Sequence, residues 1–505
     1  MSNNQFEMVA KTFQGLEDVL AEELRNLGAV NVEPGRRMVS FEGDLAMLYK
    51  ANFCCRTALR ILKPIYKFTA ADPDELYSMI KEYDWNRVLS LDKTFAIDTT
   101  VNSDEFSHSR YVTYRVKDGI VDWFKDHFGP ESRPRVRLQD ADVLINVHIA
   151  GERVTVSLDS SGESLHKRGY RVAQTEAPIN EVLAAGIILK TGWRGDCPFV
   201  DPMCGSGTFL IEAALIGAGI NPGVYRRRFA FEAWPDFDAD LFDEIYNDES
   251  AERPLNHKIY GGDISPKAFA IAEQNIKSAG VAKYIDLKLK PLSQWDEAPA
   301  EGVLVTNPPY GERISSEDMD GLYSMIGTKL KHVFKGYHAW IIGYREEYFR
   351  KIGLSPSVKL PLYNGSLECE LREYVIFEGD YKSFRQSGGK IHHGEQVVAS
   401  RQKSGRRESD REWREAARKS GFGGKKGSMA ETGRDRRGPK RQGWKRDENT
   451  RYGFDQAEPM SENPLAQRRN EHALKGIVGK APTLPRSSEP MIRPRRGWKK
   501  DGGAE

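Results

Sequence analysis

Asn307-Pro308-Pro309-Tyr310 closes an apolar run, Gly302-Val-Leu-Val-Thr306, that reads as a buried strand ending where the polar residues begin. Two consecutive prolines fix the backbone and remove two N–H donors, so the carbonyls of the turn face outward. The Asn307 amide oxygen beside the Pro308 carbonyl gives two acceptors able to hold both hydrogens of an exocyclic amine. Tyr310 adds a flat face on which a ring can stack. The set Asn307, Pro308, Pro309 and Tyr310 therefore suits methylation of a nucleobase amine or a glutamine amide. Read alone, the four residues also fit a plain Pro-rich turn that caps a strand.

A second landmark lies upstream. Cys197-Pro-Phe-Val-Asp201 reads as a short strand, Pro202-Met203-Cys204-Gly205-Ser206-Gly207 as a glycine loop, and Thr208 as the start of an apolar helix. Strand, glycine loop and helix form the nucleoside-binding turn of a doubly wound sheet, in which glycine lets a ligand approach the backbone. The loop is neither G-x-G-x-x-G nor a triphosphate loop, and alone it fits a tight turn without a ligand. Ile259-Tyr-Gly-Gly-Asp263 reads as the next strand, followed by a helix over 266–276 with Pro266 in its first turn. An acid at the end of the second strand is where this architecture holds a ribose diol; a lone Asp263 would fit a helix N-cap as well. Taken together, the three motifs specify an S-adenosylmethionine-dependent methyltransferase. Its candidate cofactor contacts are Asp201, Met203, Gly205, Gly207, Thr208, Asp263, Ile264 and Asn307.

Longer runs extend the pattern. Asp201-Pro-Met-Cys-Gly-Ser-Gly-Thr208, Asn307-Pro-Pro-Tyr-Gly-Glu-Arg313 and the stretch 158–185 resemble the bacterial large-subunit rRNA guanine-N2 methyltransferases of the RlmL type and their YpsC-like relatives. The similarity covers roughly 5–378. It implies an α/β fold: a Rossmann-like class I methyltransferase domain (161–380) behind an α+β module, with a ferredoxin-like piece (1–68) and a THUMP RNA-binding domain (69–160). It also implies transfer of a methyl group to guanine N2 of 23S ribosomal RNA, either protein-free or in an assembly intermediate. Asn307 and the Pro308 carbonyl would hold the amine and Tyr310 would stack on the base, with catalysis by positioning and charge stabilisation. One departure stands out. Relatives place an acid after the third strand to contact the adenine amine, and here Pro291 occupies that point, with Asp296 the nearest acid downstream.

The elements that carry these motifs can be read in the amino-terminal half as well. Apolar spacing predicts helices over 13–27, near 45–49, over 73–83 with Asp72 as cap, and over 111–128. Strands are expected at 94–98, 143–149 and 154–158. Candidate RNA contacts are Arg110, Arg115 and Lys117, then His166, Lys167, Arg168 and Arg171 at the domain junction, where phosphate contacts would orient RNA toward the site. Short basic clusters of this kind are otherwise solvated faces or local ion pairs.

Charge is uneven: residues 381–505 hold 31 Lys and Arg against 16 Asp and Glu, so this segment is +15 and the remainder −13. The segment is poor in apolar periodicity and is expected to be a disordered basic tail. Arg441-Gln-Gly-Trp444-Lys-Arg446 recurs as Arg495-Arg-Gly-Trp498-Lys-Lys500, and the two tryptophans add candidate base-stacking contacts. Five cysteines without Cys-x-x-Cys spacing, and no long apolar run, point to free thiols, no metal, no membrane and a cytoplasmic setting. Functions left open are a tRNA guanine-N2 methyltransferase, a protein-glutamine or DNA-adenine methyltransferase, and a non-catalytic RNA-binding assembly factor.

Overall fold

Alternating apolar residues in the amino-terminal half build one sheet rather than two. The computed structural model, which describes residues 5–377 and 379 apart from 107, 300 and 311–315, shows eight strands in this half. They are β1 (Phe6–Lys11), β2 (Val30–Gly35), β3 (Met38–Gly43), β4 (Arg60–Thr69), β5 (Thr94–Asn102), β6 (Arg135–Val136), β7 (Val143–Ala150) and β8 (Arg153–Asp159). Their order is β2-β3-β1-β4-β8-β7-β5-β6. The shared strand is β4: Leu62 lies opposite Val9 of β1, and residues 62–69 run antiparallel to β8 with a register shift at Pro64, which has no N–H for the ladder. The expected boundary at 68 thus falls at the far end of a strand common to both pieces.

Helices α1 (Glu17–Asn26), α2 (Leu45–Cys54), α3 (Pro73–Glu82) and α4 (Ser109–Phe128) cover this sheet. The first starts at 17 instead of 13 because Gly15 takes φ +91° and gives its N–H to the Glu17 carboxylate. Asp72 caps α3 by accepting from the Asp74 and Glu75 amides, both at 2.8 Å.

The second sheet holds β9 (Phe199–Asp201), β10 (Ile259–Asp263), β11 (Ile285–Leu289), β12 (Val303–Thr306), β13 (His338–Gly343), β14 (Val358–Asn364) and β15 (Leu367–Val375). Their order is β11-β10-β9-β12-β13-β15-β14, and β15 runs against its two neighbours. Pro198 cannot donate to the ladder, so β9 begins at Phe199, and the Pro198 carbonyl accepts from Val303. Helices α5 (Glu181–Lys190), α6 (Thr208–Gly217), α7 (Ala239–Asn247), α8 (Pro266–Ser278), α9 (Ser316–His332) and α10 (Glu346–Lys351) complete the half. Buried residues of α5, α6 and α8 share one core with Phe199, Trp340 and Ile342, while α9 and α10 pack with Ala339 and Ile341 on the other face. Every residue of α6 is buried, which accounts for its being apolar all round.

The two halves interlock. Phe229, Phe231, Trp234 and Phe242, carried between α6 and β10, complete the amino-terminal core, with the Tyr49 and Phe231 rings stacked at 4.5 Å. In return Leu16 enters the second core against Gly186, where a Cβ would lie 2.5 Å from a Leu16 methyl. Among the described residues no helix is long and apolar enough to cross a membrane, and no group of three or more His, Cys, Asp or Glu could hold a metal ion.

Candidate active site

From β9 the chain builds outward through β10 and β11, then returns to lay β12 on the other side of β9. The carboxyl ends of β9 and β12 flank this switch point, where such sheets open a crevice. Asp201 ends β9 and Thr306 ends β12, and the Thr306 hydroxyl donates to Asp201 at 2.9 Å. That bond ties the glycine loop to the Asn307 turn. Asp263, at the end of neighbouring β10, accepts from the Gly205 amide at 2.9 Å and from the Ser265 amide at 2.8 Å. Ser265, not Asp263, caps α8 by accepting from the Ala268 amide. The structure therefore gathers Asp201, Met203, Gly205, Gly207, Thr208, Asp263, Ile264 and the turn 307–310 at one edge of three adjacent strands.

The loop is shaped for close approach. Gly205 and Gly207 take φ of +54° and +79°, and a Cβ on Gly205 would meet nothing within 4 Å, so the backbone is bare on that side. Ile264 is 74% exposed directly after Asp263, an apolar surface that the fold leaves open. The Asn307 side-chain oxygen is buried and has no hydrogen-bond partner among the described residues. Bare backbone at Gly205, an exposed apolar side chain at Ile264 and an open acceptor at Asn307 thus lie at the same edge of the sheet. Tyr310 is half-buried. Its hydroxyl accepts from Asn364 at 3.3 Å, its carbonyl accepts from the Tyr344 hydroxyl at 3.2 Å, and its ring meets Tyr344 edge-on at 5.4 Å.

Burial pushes the Asp201 carboxyl up to about 7, helped by the nearby Asp263 charge and opposed by the bonds from Thr306 and Met203. An acid raised in this way stabilises the fold fully below about pH 4, and the contribution is lost as pH rises through about 7. Asp201→Asn, which cannot ionise, is expected to flatten the fall in stability between about pH 4 and 7. At pH 8 its advantage over wild type should be on the order of 1–3 kcal/mol. Thermal melts of the ligand-free protein across that range check this; parallel curves would reject it.

The junction cluster requires a correction. Arg168 is 2% exposed and bonded to Glu212 and to the Leu165 and Arg56 carbonyls, so its guanidinium cannot face an RNA phosphate. Arg171 is likewise turned inward: it bonds Glu181 at 2.7 Å, Ser206 Oγ at 3.1 Å and Thr208 Oγ1 at 3.0 Å. It holds the glycine loop from behind. Burial and the neighbouring Lys167 and Arg168 lower His166 to about 4, so its ring, bonded to Ser164, is neutral near pH 7 and adds no cation. Lys167 is exposed and paired with Glu163. On α4, Arg115 is engaged by Asp74 and the Tyr77 ring and Lys117 by Asp118, while Arg110 is exposed. Asp296 points to solvent beside Lys329, and Pro291 caps a single helical turn, its carbonyl accepting from Gln294. Trp444 and Trp498 lie outside the described residues.

Asn275 escaped the sequence reading. Its amide receives the Val172 and Ala173 N–H groups and donates to the Ser206 and Ala173 carbonyls, fixing the glycine loop to α8. An Asn at an inward position of α8, beside Ala272 and Ile276, was the available signal.

A glycine loop on β9 that faces a proline turn on β12 across the switch point of this sheet is the arrangement of a class I, S-adenosylmethionine-dependent methyltransferase. Three family descriptions match in order: an RlmL ferredoxin-like domain over 7–62, a THUMP domain over 70–159 and an RMKL-like methyltransferase domain over 168–373. The chain belongs to the RMKL-like methyltransferase family. A Synechocystis protein named "Putative RNA methyltransferase slr0064" is 37% identical over 371 residues, 73% of this chain and 96% of that one. The ribosomal RNA large subunit methyltransferase K/L of Syntrophotalea carbinolica is 38% identical over 379 residues, 72% of this chain and 53% of its own length. The chain thus spans about half the length of that K/L relative. The SMU.472 crystal structure, complexed with SAH, is 33% identical with a TM-score of 0.67, covering 75% of this chain and all of that one.

Proposed function

We propose that this chain transfers a methyl group from S-adenosylmethionine to the exocyclic N2 amine of a guanine in large-subunit ribosomal RNA. The observation that carries the reading is the buried Asn307 oxygen at the end of β12, unpartnered among the described residues. A buried acceptor left open costs stability, and a substrate N–H offsets that cost only when the amine is in place. Asn307 Oδ1 and the Pro308 carbonyl accept the two amine hydrogens, which draws the nitrogen lone pair out of conjugation with the ring. S-adenosylmethionine, when bound, supplies an electrophilic methyl on a sulfonium. Asp263 holds the ribose diol, and Asp201, Met203, Gly205, Gly207, Thr208 and Ile264 line the rest of the cofactor's path. Both turn oxygens also stabilise the positive charge that develops on nitrogen as the N–C bond forms and the methyl–sulfur bond breaks; the methylated amine, acidic once cationic, gives its extra proton to water, so the site needs no strong base. Tyr310, steadied by Asn364 and Tyr344, offers its open face to the extruded guanine.

The THUMP domain and the names of the relatives support RNA as substrate, and the K/L names support the large ribosomal subunit. The decisive assay is transfer of labelled methyl to protein-free large-subunit rRNA and to bulk tRNA, followed by nucleoside analysis. N2-methylguanosine in the rRNA is expected. Label confined to tRNA would replace the substrate, and label on adenine would replace the base.

A further inference from the structure

We infer that an RNA strand docks its phosphates along the outer edge of β6, on Arg133, Arg135 and Arg137; this rests on the reading of the chain as an RNA methyltransferase. β6 is the last strand of the amino-terminal sheet and pairs with β5 alone. In Arg133-Pro-Arg-Val-Arg137 the arginines occupy alternate positions, Pro134 is buried, and all three arginines are exposed. None has a side-chain hydrogen bond or ion pair among the described residues, unlike Arg60, Arg115 and Arg372, which are held by carboxylates. The local acids are largely taken up: Asp140 lies 3.9 Å from Arg228, and Asp142 accepts from Thr94. Glu131 is the remaining acid of residues 131–140.

The body of the chain up to residue 380 carries −13, so an uncompensated arginine row is an exception there. Alternate residues of extended chain sit about 6.7 Å apart, close to the interval of successive phosphates on an extended RNA strand; β6 itself is Arg135–Val136, with Arg133 and Arg137 just outside its ends. Guanidinium forks suit phosphate oxygens. Leu138, 86% exposed, and Val136, 48% exposed, set apolar surface beside the row for sugars and base faces. The Arg228–Asp140 pair links the end of the row to the methyltransferase half.

The test is binding of the full chain to a labelled single-stranded RNA and to protein-free large-subunit rRNA over a range of salt. Arg133→Gln/Arg135→Gln/Arg137→Gln is compared with a charge-matched control, Arg36→Gln/Arg87→Gln/Lys277→Gln. The row variant should bind at least about 10-fold more weakly at low salt, with the slope of log affinity against log salt reduced by roughly 2, from three lost single-strand phosphate contacts. Its KM for RNA should rise while kcat, cofactor affinity and melting temperature hold. A row variant indistinguishable from the control overturns the inference. If wild type binds RNA through this row yet yields no N2-methylguanosine, the substrate reading fails and the docking surface stands.

Discussion

Asn307→Ala lowers the rate of methyl transfer by about 10²–10³-fold while leaving the protein at least as stable as wild type. The two halves of this expectation come from one atom. Among the described residues Asn307 Oδ1 is buried without a donor, so its removal breaks none of the bonds described there and relieves an unmet acceptor. In the reaction the same oxygen holds an amine hydrogen and faces the positive charge growing on nitrogen. Removing it therefore acts on the transition state and spares the fold. Single-turnover transfer of labelled methyl under saturating cofactor measures the first half, and a thermal melt the second. Asn307→Asp keeps an acceptor and should fall between alanine and wild type, held back by the cost of burying a charge. An alanine variant with wild-type turnover would remove Asn307 from the chemistry, whereas one that melts far lower would make it a structural residue.

The placement of the motif residues was legible because it depends on position along a strand. Asp201, Asp263 and Asn307 each follow an apolar run, and a run that ends in polar residues marks the carboxyl edge of a parallel sheet, where the crevice lies. Asp72 was legible for a similar reason, since a cap is a local matter of side chain and the next two amides. What failed was the direction of the basic residues. Arg168 and Arg171 read as one cluster with His166 and Lys167, yet Arg168 is buried and Arg171 turned inward because α6 and α5 supply Glu212 and Glu181 from elsewhere in the chain. Spacing reports which residues share a face; it does not report what covers that face. The same blindness hid the aromatic segment around Phe229–Phe242, whose partners Tyr49 and Phe53 lie far away in sequence. It also hid β4, whose two neighbours belong to what the sequence presents as separate modules.

Glu212→Leu is expected to cost about 3–5 kcal/mol of stability, because it strands the buried Arg168 charge. Both side chains are almost fully shielded, at 2% and 0% exposure, with their charged groups 3.4 Å apart. Glu212 also accepts from the Tyr170 hydroxyl at 2.8 Å, so the variant leaves a second donor unmet. The arginine keeps the Leu165 and Arg56 carbonyls, which orient it without neutralising it. Because the Arg56 carbonyl comes from the amino-terminal half and Glu212 from α6, directly behind the glycine loop, the loss should weaken the seam on which the RNA-facing module is mounted. Arg168→Met combined with Glu212→Leu removes both charges and should recover part of the loss, since the stranded charge is gone while the Tyr170 hydroxyl and the Leu165 and Arg56 carbonyls stay without those partners. Urea denaturation of the two single variants and the double variant completes a cycle whose coupling term reads the pair directly. Singles that each lose under about 1 kcal/mol, or a double whose loss equals their sum, would mean that the pair is hydrated and that the seam is held by the aromatic contacts alone.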